Sequence, residues 1–164
     1  LPELLRVLYH SHRQGLFSLA LSITGSRQLA EDAVHEAFAK MAGRKPPEGD
    51  PVPYVFKVVR NAAIDMQRSR RRDQQLSVSL FNGYSPQPKE TDPQMHLLTK
   101  ERDQILRKAI ENLCEDEREA IVLKALAGLT FEQAGEAAGI PAKTIATRYR
   151  RALQKLETHL RGQI

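Results

Sequence analysis

The residues with the clearest chemical purpose lie in AKTIATRYRR, residues 142–151. On a helix turning about 100° per residue, Thr144, Thr147 and Arg151 fall on one side, flanked by Lys143, Arg148 and Arg150. Hydroxyls donate to or accept from base edges, a guanidinium grips guanine through two bonds, and flanking cations meet phosphates. That is the chemistry of groove docking. It requires a buried opposite side, and Ile145, Tyr149, Leu153, Leu156 and Leu160 recur there as an apolar stripe. The elements that hold this helix are also legible. Thr130 suits the N-cap of a short preceding helix, with Gln133 three residues on to complete a capping box. Gly139 supplies a left-handed reversal, and Pro141 fits the first turn of the next helix. Residues 130–160 therefore predict a helix-turn-helix. A basic helical hairpin that binds nothing is the plain alternative, and the rest of the chain weighs against it.

Two further clusters carry charge. Residues 27–42 form a helical pattern with Ala30, Ala33, Val34, Ala37, Phe38 and Met41 inward and Glu31, Asp32, His35, Glu36 and Lys40 outward. An acidic face on a chain of net charge +5 is either a solvated surface laced with helix pairs or a docking face. A third helix, opening at Pro53, turns Val55, Val59, Ala62 and Met66 inward and sets Lys57, Asn61, Asp65 and Arg68 along another face. It ends in Arg68, Arg70, Arg71 and Arg72. The helix dipole favours cations there, but four arginines in five positions exceed that need and indicate phosphate tracking.

Enzymatic chemistry finds no support. His10, His12, His35, His96 and His159 are scattered, with no HExxH, no glycine-rich phosphate loop and no nucleophile motif. A metal at His10 and His12 would lack further ligands nearby, so no metal or cofactor is expected. The single cysteine, Cys114, excludes an intramolecular disulfide, fits a reducing cytosol, and is expected to pack as a small hydrophobe. No apolar run reaches the length of about 18 residues that a membrane span needs. No signal-peptide pattern is seen, so a cytoplasmic location is expected.

The remaining punctuation sets the layout. Leu4, Leu5, Leu8, Leu16, Leu19, Ala20 and Ile23 predict a first helix, with Gly15 a weak point inside it. GRKPPEGDPVP, residues 43–53, is a loop. Residues 73–94 read as a linker, in which the alternation of Leu76, Val78 and Leu80 suggests a short extended piece. Helices resume near Pro93 and again at 116–127, closed by Gly128. Hydrophobic residues make up 41% of the 164 and aromatics 5%, with no Trp, which suits modest helical cores. The expected fold is all-α: two small helical domains, 1–72 and 95–164, joined by a flexible linker at 73–94, the second a helix-turn-helix.

Three stretches together resemble a known family. LAEDAVHEAF (29–38) is similar to the acidic helix motif, PYVFKVVRNAAIDMQRSRRR (53–72) to the arginine-ending segment, and residues 109–153 to the second-domain signature of extracytoplasmic-function sigma factors of bacterial RNA polymerase. The resemblance implies a non-catalytic specificity subunit that directs promoter-specific transcription initiation. Asp32, His35 and Glu36 match the helix that docks on the clamp helices of the polymerase β′ subunit, and the second domain implies contact with the β flap. The 43–53 loop and Asn61 match the elements that hold a flipped non-template base of the minus-ten element. Tyr54 lies beside them and could stack on an unpaired base, with Phe56 the better core candidate. Lys57, Arg68, Arg70, Arg71 and Arg72 join the minus-ten set. Lys143, Thr144, Thr147, Arg148, Arg150 and Arg151 belong to the helix that reads duplex at the minus-thirty-five element. An anti-sigma factor is the implied regulator. The chain departs from the pattern in having His35 for Gln, Tyr54 for Trp and Cys114 for Pro. It also has Lys143 where Gly is common and Ala146 where a basic residue is common, so promoter sequence does not carry over. A stand-alone helix-turn-helix regulator would explain residues 130–160 but leave 29–38 and 53–72 without a purpose.

Overall fold

The computed structural model describes residues 2–45, 47–80 and 100–162. The first three helices are α1 (Pro2–Thr24), α2 (Arg27–Ala42) and α3 (Pro51–Leu80). The Thr24 hydroxyl donates to the Ala20 carbonyl at 2.9 Å, and Gly25, at φ 67°, turns the chain out of α1. Ser26 then caps α2, its Oγ accepting the Leu29 N–H at 3.3 Å. The helix α3 starts two residues before the expected Pro53. Asp50 Oδ1 accepts the Val52 N–H at 3.0 Å, which makes Asp50 a cap and places Pro51 at the first helical position, where its missing N–H costs nothing. Leu8, Leu16, Leu19, Ala33, Val34, Ala37, Val55, Phe56 and Val59 fill the space between these helices.

The C-terminal half comprises α4 (Lys100–Glu111), α5 (Glu115–Ile121), a π-helical turn (Val122–Leu126), α6 (Phe131–Ala138) and α7 (Ala142–Arg161). Arg118 closes α4 from outside. Its guanidinium donates to the carbonyls of Ile110, Glu111 and Leu113 at 3.3, 2.9 and 3.0 Å, covering acceptors that the end of the helix leaves open. The single helix expected at 116–127 widens over its second half, where the Ala127 N–H reaches the Val122 carbonyl at 2.8 Å, an i to i+5 bond. Gly128, at φ 72°, ends it as expected.

Three expectations change. First, α3 continues to Leu80, so Leu76, Val78 and Leu80 sit on helical backbone and the first eight residues of the expected linker are not extended. The rest of that segment, and the helix start near Pro93, lie outside the described residues. Second, Leu153 is 43% exposed while Ala152 is buried. The stripe Ile145, Tyr149, Ala152, Leu156 is centred about 70° away from Leu153 around the helix, so α4 and α5 cover the alanine and not the leucine. Third, Cys114 is exposed and stands at the N-cap of α5 instead of packing as a hydrophobe. Leu4 is 40% exposed at the open end of α1.

The two halves also meet. Helix α3 packs on α6 and α1 on the π turn. One buried cluster joins Phe56, Val59 and Ala63 to Leu123, Leu129, Ala134, Ala137 and Ile145. A second, smaller one of Ala109, Leu113, Ile121, Ala152 and Leu156 belongs to the C-terminal half alone.

Candidate functional site

The helix-turn-helix forms as its residues dictate. Thr130 Oγ1 accepts the Gln133 N–H at 3.1 Å while the Gln133 side-chain oxygen accepts the Thr130 N–H at 3.0 Å. Gly139 is left-handed at φ 74°. A second glycine, which the sequence reading passed over, sets the tightness of the turn. A Cβ on Gly135 would lie 2.7 Å from the Ile140 carbonyl oxygen, and the Ile140 N–H bonds to the Gly135 carbonyl at 2.9 Å. Pro141 precedes the helix as its cap residue, one position before the expected place, and its carbonyl accepts the Ile145 N–H at 3.2 Å.

On α7, Lys143, Arg150 and Arg151 are exposed and Thr144, Thr147 and Arg148 half-buried. The Thr147 hydroxyl donates to the Lys143 carbonyl at 2.9 Å and receives Arg150 Nη2 at 3.5 Å. With its proton engaged, Thr147 can offer a base edge only an acceptor. Arg148 leans on Asp116 of α5 at 3.6 Å, which orients the guanidinium without neutralising it in a dry site, since the Asp116 side chain is 64% exposed. One turn beyond Arg151, on the same side of α7, Lys155 Nζ donates to Glu117 Oε1 at 2.8 Å. That bond, aided by the Cys114 cap, holds the buried Glu117 carboxyl below its usual range, and Lys155 is raised in return.

On α2, Asp32, His35 and Glu36 are all exposed while Ala33, Val34 and Ala37 are buried. Gln28 Nε2 donates to Asp32 Oδ1 at 3.2 Å, and Glu36 pairs with Lys40 at 3.1 Å. These are surface contacts that a partner can displace cheaply.

On α3, Tyr54 is half-buried beside a shallow groove lined by Leu4, Leu8, Met41 and Pro47 and rimmed by Arg44 and Lys45. Phe56 is fully buried, with the His12 ring edge-on to it at 5.7 Å, as its core role requires. Lys57, Asn61, Arg68, Arg70, Arg71 and Arg72 are exposed. Because α3 is unbroken, their directions follow from helical geometry. Lys57, Asn61, Arg68, Arg71 and Arg72 span an arc of about 100°, while Arg70 points to roughly the opposite side. The structure thus joins most of that set into one stripe and separates Arg70 from it.

Residues that bridge the two halves were not foreseen as such. Arg60 Nε donates to Glu119 Oε1 at 2.7 Å, with side chains 26% and 16% exposed. Gln133, besides closing its cap, donates through Nε2 to Asp50 Oδ2 at 2.7 Å. This bond and the Val52 N–H keep the Asp50 carboxyl below its ordinary value. These pairs are 59 and 83 residues apart, beyond any local pattern.

Known protein families match both halves of the chain. The Sigma-70 region 2 model matches residues 8–73, which run from α1 into α3. The Sigma-70, region 4 model matches residues 103–156, from α4 into α7. The chain is 31% identical over 150 residues to the ECF RNA polymerase sigma factor EcfG of Rhodopseudomonas palustris, a match covering 88% of this chain and 78% of that protein. The chain belongs to the ECF RNA polymerase sigma factor family. The ECF sigma factor SigM of Bacillus subtilis is 27% identical to it over 92% of this chain and 91% of its own. Among solved structures, the sigma factor RpoE of Bartonella quintana, in complex with the anti-sigma factor NepR, superposes with a TM-score of 0.66 at 27% identity. That superposition covers 98% of this chain and 95% of the other. In this sigma factor the acidic face and the α3 stripe therefore fall within region 2, and the helix-turn-helix within region 4. Among the described residues, no helix is long and apolar enough to cross a membrane, and no group of three or more acidic, His or Cys side chains could hold a metal ion.

Proposed function

We propose that this sigma factor binds core polymerase through the exposed face of α2, with Asp32, His35 and Glu36 docking on the β′ clamp helices and the C-terminal half meeting the β flap. The observation that carries the proposal is the division of α2. One face is buried in the bundle, and the other displays carboxylates held only by surface contacts on a chain of net positive charge. Region 2 then captures melted non-template strand at the minus-ten element, with Tyr54 and Asn61 meeting an unpaired base and Lys57, Arg68, Arg71 and Arg72 following phosphates. Capture offsets part of the few kcal/mol that unstacking costs. Region 4 reads duplex at the minus-thirty-five element through Thr144, Thr147 and Arg151, with Lys143, Arg148 and Arg150 at the phosphates. Arg70 serves the minus-ten DNA less directly than its neighbours. The subunit performs no bond chemistry and needs no cofactor, and it works in the bacterial cytoplasm, on the nucleoid when active. An anti-sigma factor restrains it, a reading supported by the relative solved with NepR.

The test is run-off transcription with purified core polymerase on DNA from the protein's own upstream region. Wild type should give promoter-specific transcripts and Asp32→Arg none, while both retain the same thermal midpoint, because Asp32 is exposed. Tight sequence-specific duplex binding without polymerase, and no transcript with it, would point instead to a stand-alone regulator.

A further inference from the structure

Two threonines lie on the side of α7 assigned above to duplex DNA, and their hydroxyls stand in different states. The Thr147 hydroxyl donates to the Lys143 carbonyl, four residues back, at 2.9 Å. Threonines inside helices commonly make this bond, because a carbonyl lies beneath them one turn earlier. Arg150 Nη2 faces the same oxygen at 3.5 Å. Thr144 is only the third residue of α7, so its counterpart four residues back, Ile140, lies in the turn before the helix. The Ile140 carbonyl is turned toward Gly135, where an added Cβ would stand 2.7 Å from its oxygen. Among the described residues the Thr144 hydroxyl has no partner, so it is free to donate or accept.

The difference decides what each can read. A hydroxyl carries one proton and two lone pairs. In Thr147 the proton is held by Lys143 and one lone pair is turned to Arg150, which leaves a single acceptor position and no donor for a ligand. In the major groove, adenine N6 and cytosine N4 are amino donors, whereas guanine O6 and thymine O4 are acceptors. An amino group meeting Thr147 completes a hydrogen bond. A keto oxygen in the same place would set two acceptors against each other with no proton between them. The free hydroxyl of Thr144 rotates to suit either edge and excludes neither. Spacing places the restrictive residue in the middle of the readout. Along α7, Thr144, Thr147 and Arg151 are separated by about 4.5 and 6 Å of rise. One base pair occupies about 3.4 Å, so a helix lying along the groove sets these side chains one to two base pairs apart.

We infer that Thr147 determines base identity at one central position of the duplex element read by α7, accepting adenine or cytosine on the strand it faces and refusing guanine or thymine. The choice is made by the exocyclic amino group and not by purine or pyrimidine shape, because that group is what adenine and cytosine share at the groove edge. This rests on the promoter reading above and deepens it, since a helix in the groove does not by itself say which bases it accepts. Thr144, with its hydroxyl uncommitted, contributes contact with little choice.

The experiment is run-off transcription by core polymerase with the full chain, on the protein's own upstream DNA randomised across the minus-thirty-five segment. Each template carries a downstream barcode, and the transcripts are sequenced. Wild type should show one position where adenine and cytosine together exceed guanine and thymine on one strand by about tenfold, within the usual range for one wrong base pair. Thr147→Val keeps the branched Cβ and the size but removes the oxygen, and it should reduce that preference below about twofold at that position alone. Thr147→Ser, which keeps the oxygen, should retain it, and Thr144→Val should leave it in place. At the mapped position, replacing adenine by purine, which lacks the N6 amino group, should lower wild-type transcription about tenfold and leave that of Thr147→Val where it stands. Thermal midpoints of the variants, expected to match wild type, separate a lost reader from a lost fold. A purine-against-pyrimidine preference, or an amino preference that survives Thr147→Val, would overturn the assignment and leave the sigma reading intact. A preference for guanine or thymine that Arg150→Ala removes would overturn it too, by making the guanidinium the reader. No promoter-specific transcript with wild type would remove the promoter reading, and the base rule with it.

Discussion

The arginines at the end of α3 allow a quantitative test of the single-strand reading. Arg68, Arg71 and Arg72 share an arc of about 100° with Lys57 and Asn61, and Arg70 points away from it. All four are exposed. If a melted strand runs along that arc, each arginine on it displaces counterions. The slope of log affinity against log salt falls by about 0.7 for each single-strand phosphate contact removed. Arg68→Ala, Arg71→Ala and Arg72→Ala together should flatten the slope by about 2, whereas Arg70→Ala alone should change it by less than about 0.3. Between 50 and 200 mM salt, that difference in slope amounts to roughly a 20-fold change in relative affinity. The assay is fluorescence anisotropy of polymerase holoenzyme on a fork-junction DNA with a single-stranded minus-ten segment, titrated at several salt concentrations. An unchanged slope in the triple variant, or an Arg70 effect equal to that of Arg71, would refute the assignment of one face of α3 to the backbone.

Other consequences follow from burial and hydrogen bonding. Phe56→Ala removes a fully buried ring from the shared core and should destabilise the chain by about 3–5 kcal/mol in urea unfolding; a cost under about 1 kcal/mol would mean the site collapses freely. Thr130→Ala breaks the capping box and should cost about 1 kcal/mol by the same measurement, with Thr130→Ser nearly neutral. Stability should decline on the acid side through Glu117. Its carboxyl is held low by Lys155, so its contribution is present above the unfolded value of about 4.3 and is lost as pH falls through the lower folded value. Melting temperatures measured from pH 6 down to pH 2 should fall less steeply for Glu117→Gln than for wild type. Lys155, held high, acts in the opposite sense, keeping its contribution below its unfolded value of about 10.4 and losing it as pH rises through the folded value.

What the sequence determined by itself is local. Thr130, Gln133 and Gly139 form their cap and reversal as read because each partner lies within a few residues, where backbone geometry alone sets the contact. The bounds of α2 and its division into buried and acidic faces follow from a 3.6-residue period. The exposed charged faces on which the proposed function rests were legible for the same reason, since exposed charge on a regular helix points where its position in sequence sends it. Tertiary structure decided the rest. A period cannot say which edge of an apolar stripe another helix covers, so Ala152 was buried in place of Leu153. Residue type alone made Cys114 look like a packed hydrophobe, when it stands at an exposed cap. Gly15 looked like a flaw in α1 until Ala127, more than a hundred residues later, was found against it. The joining of the two halves depends on Arg60 with Glu119 and Asp50 with Gln133. Pairs so distant in sequence become neighbours only through packing of the whole chain, and no local pattern specifies that packing.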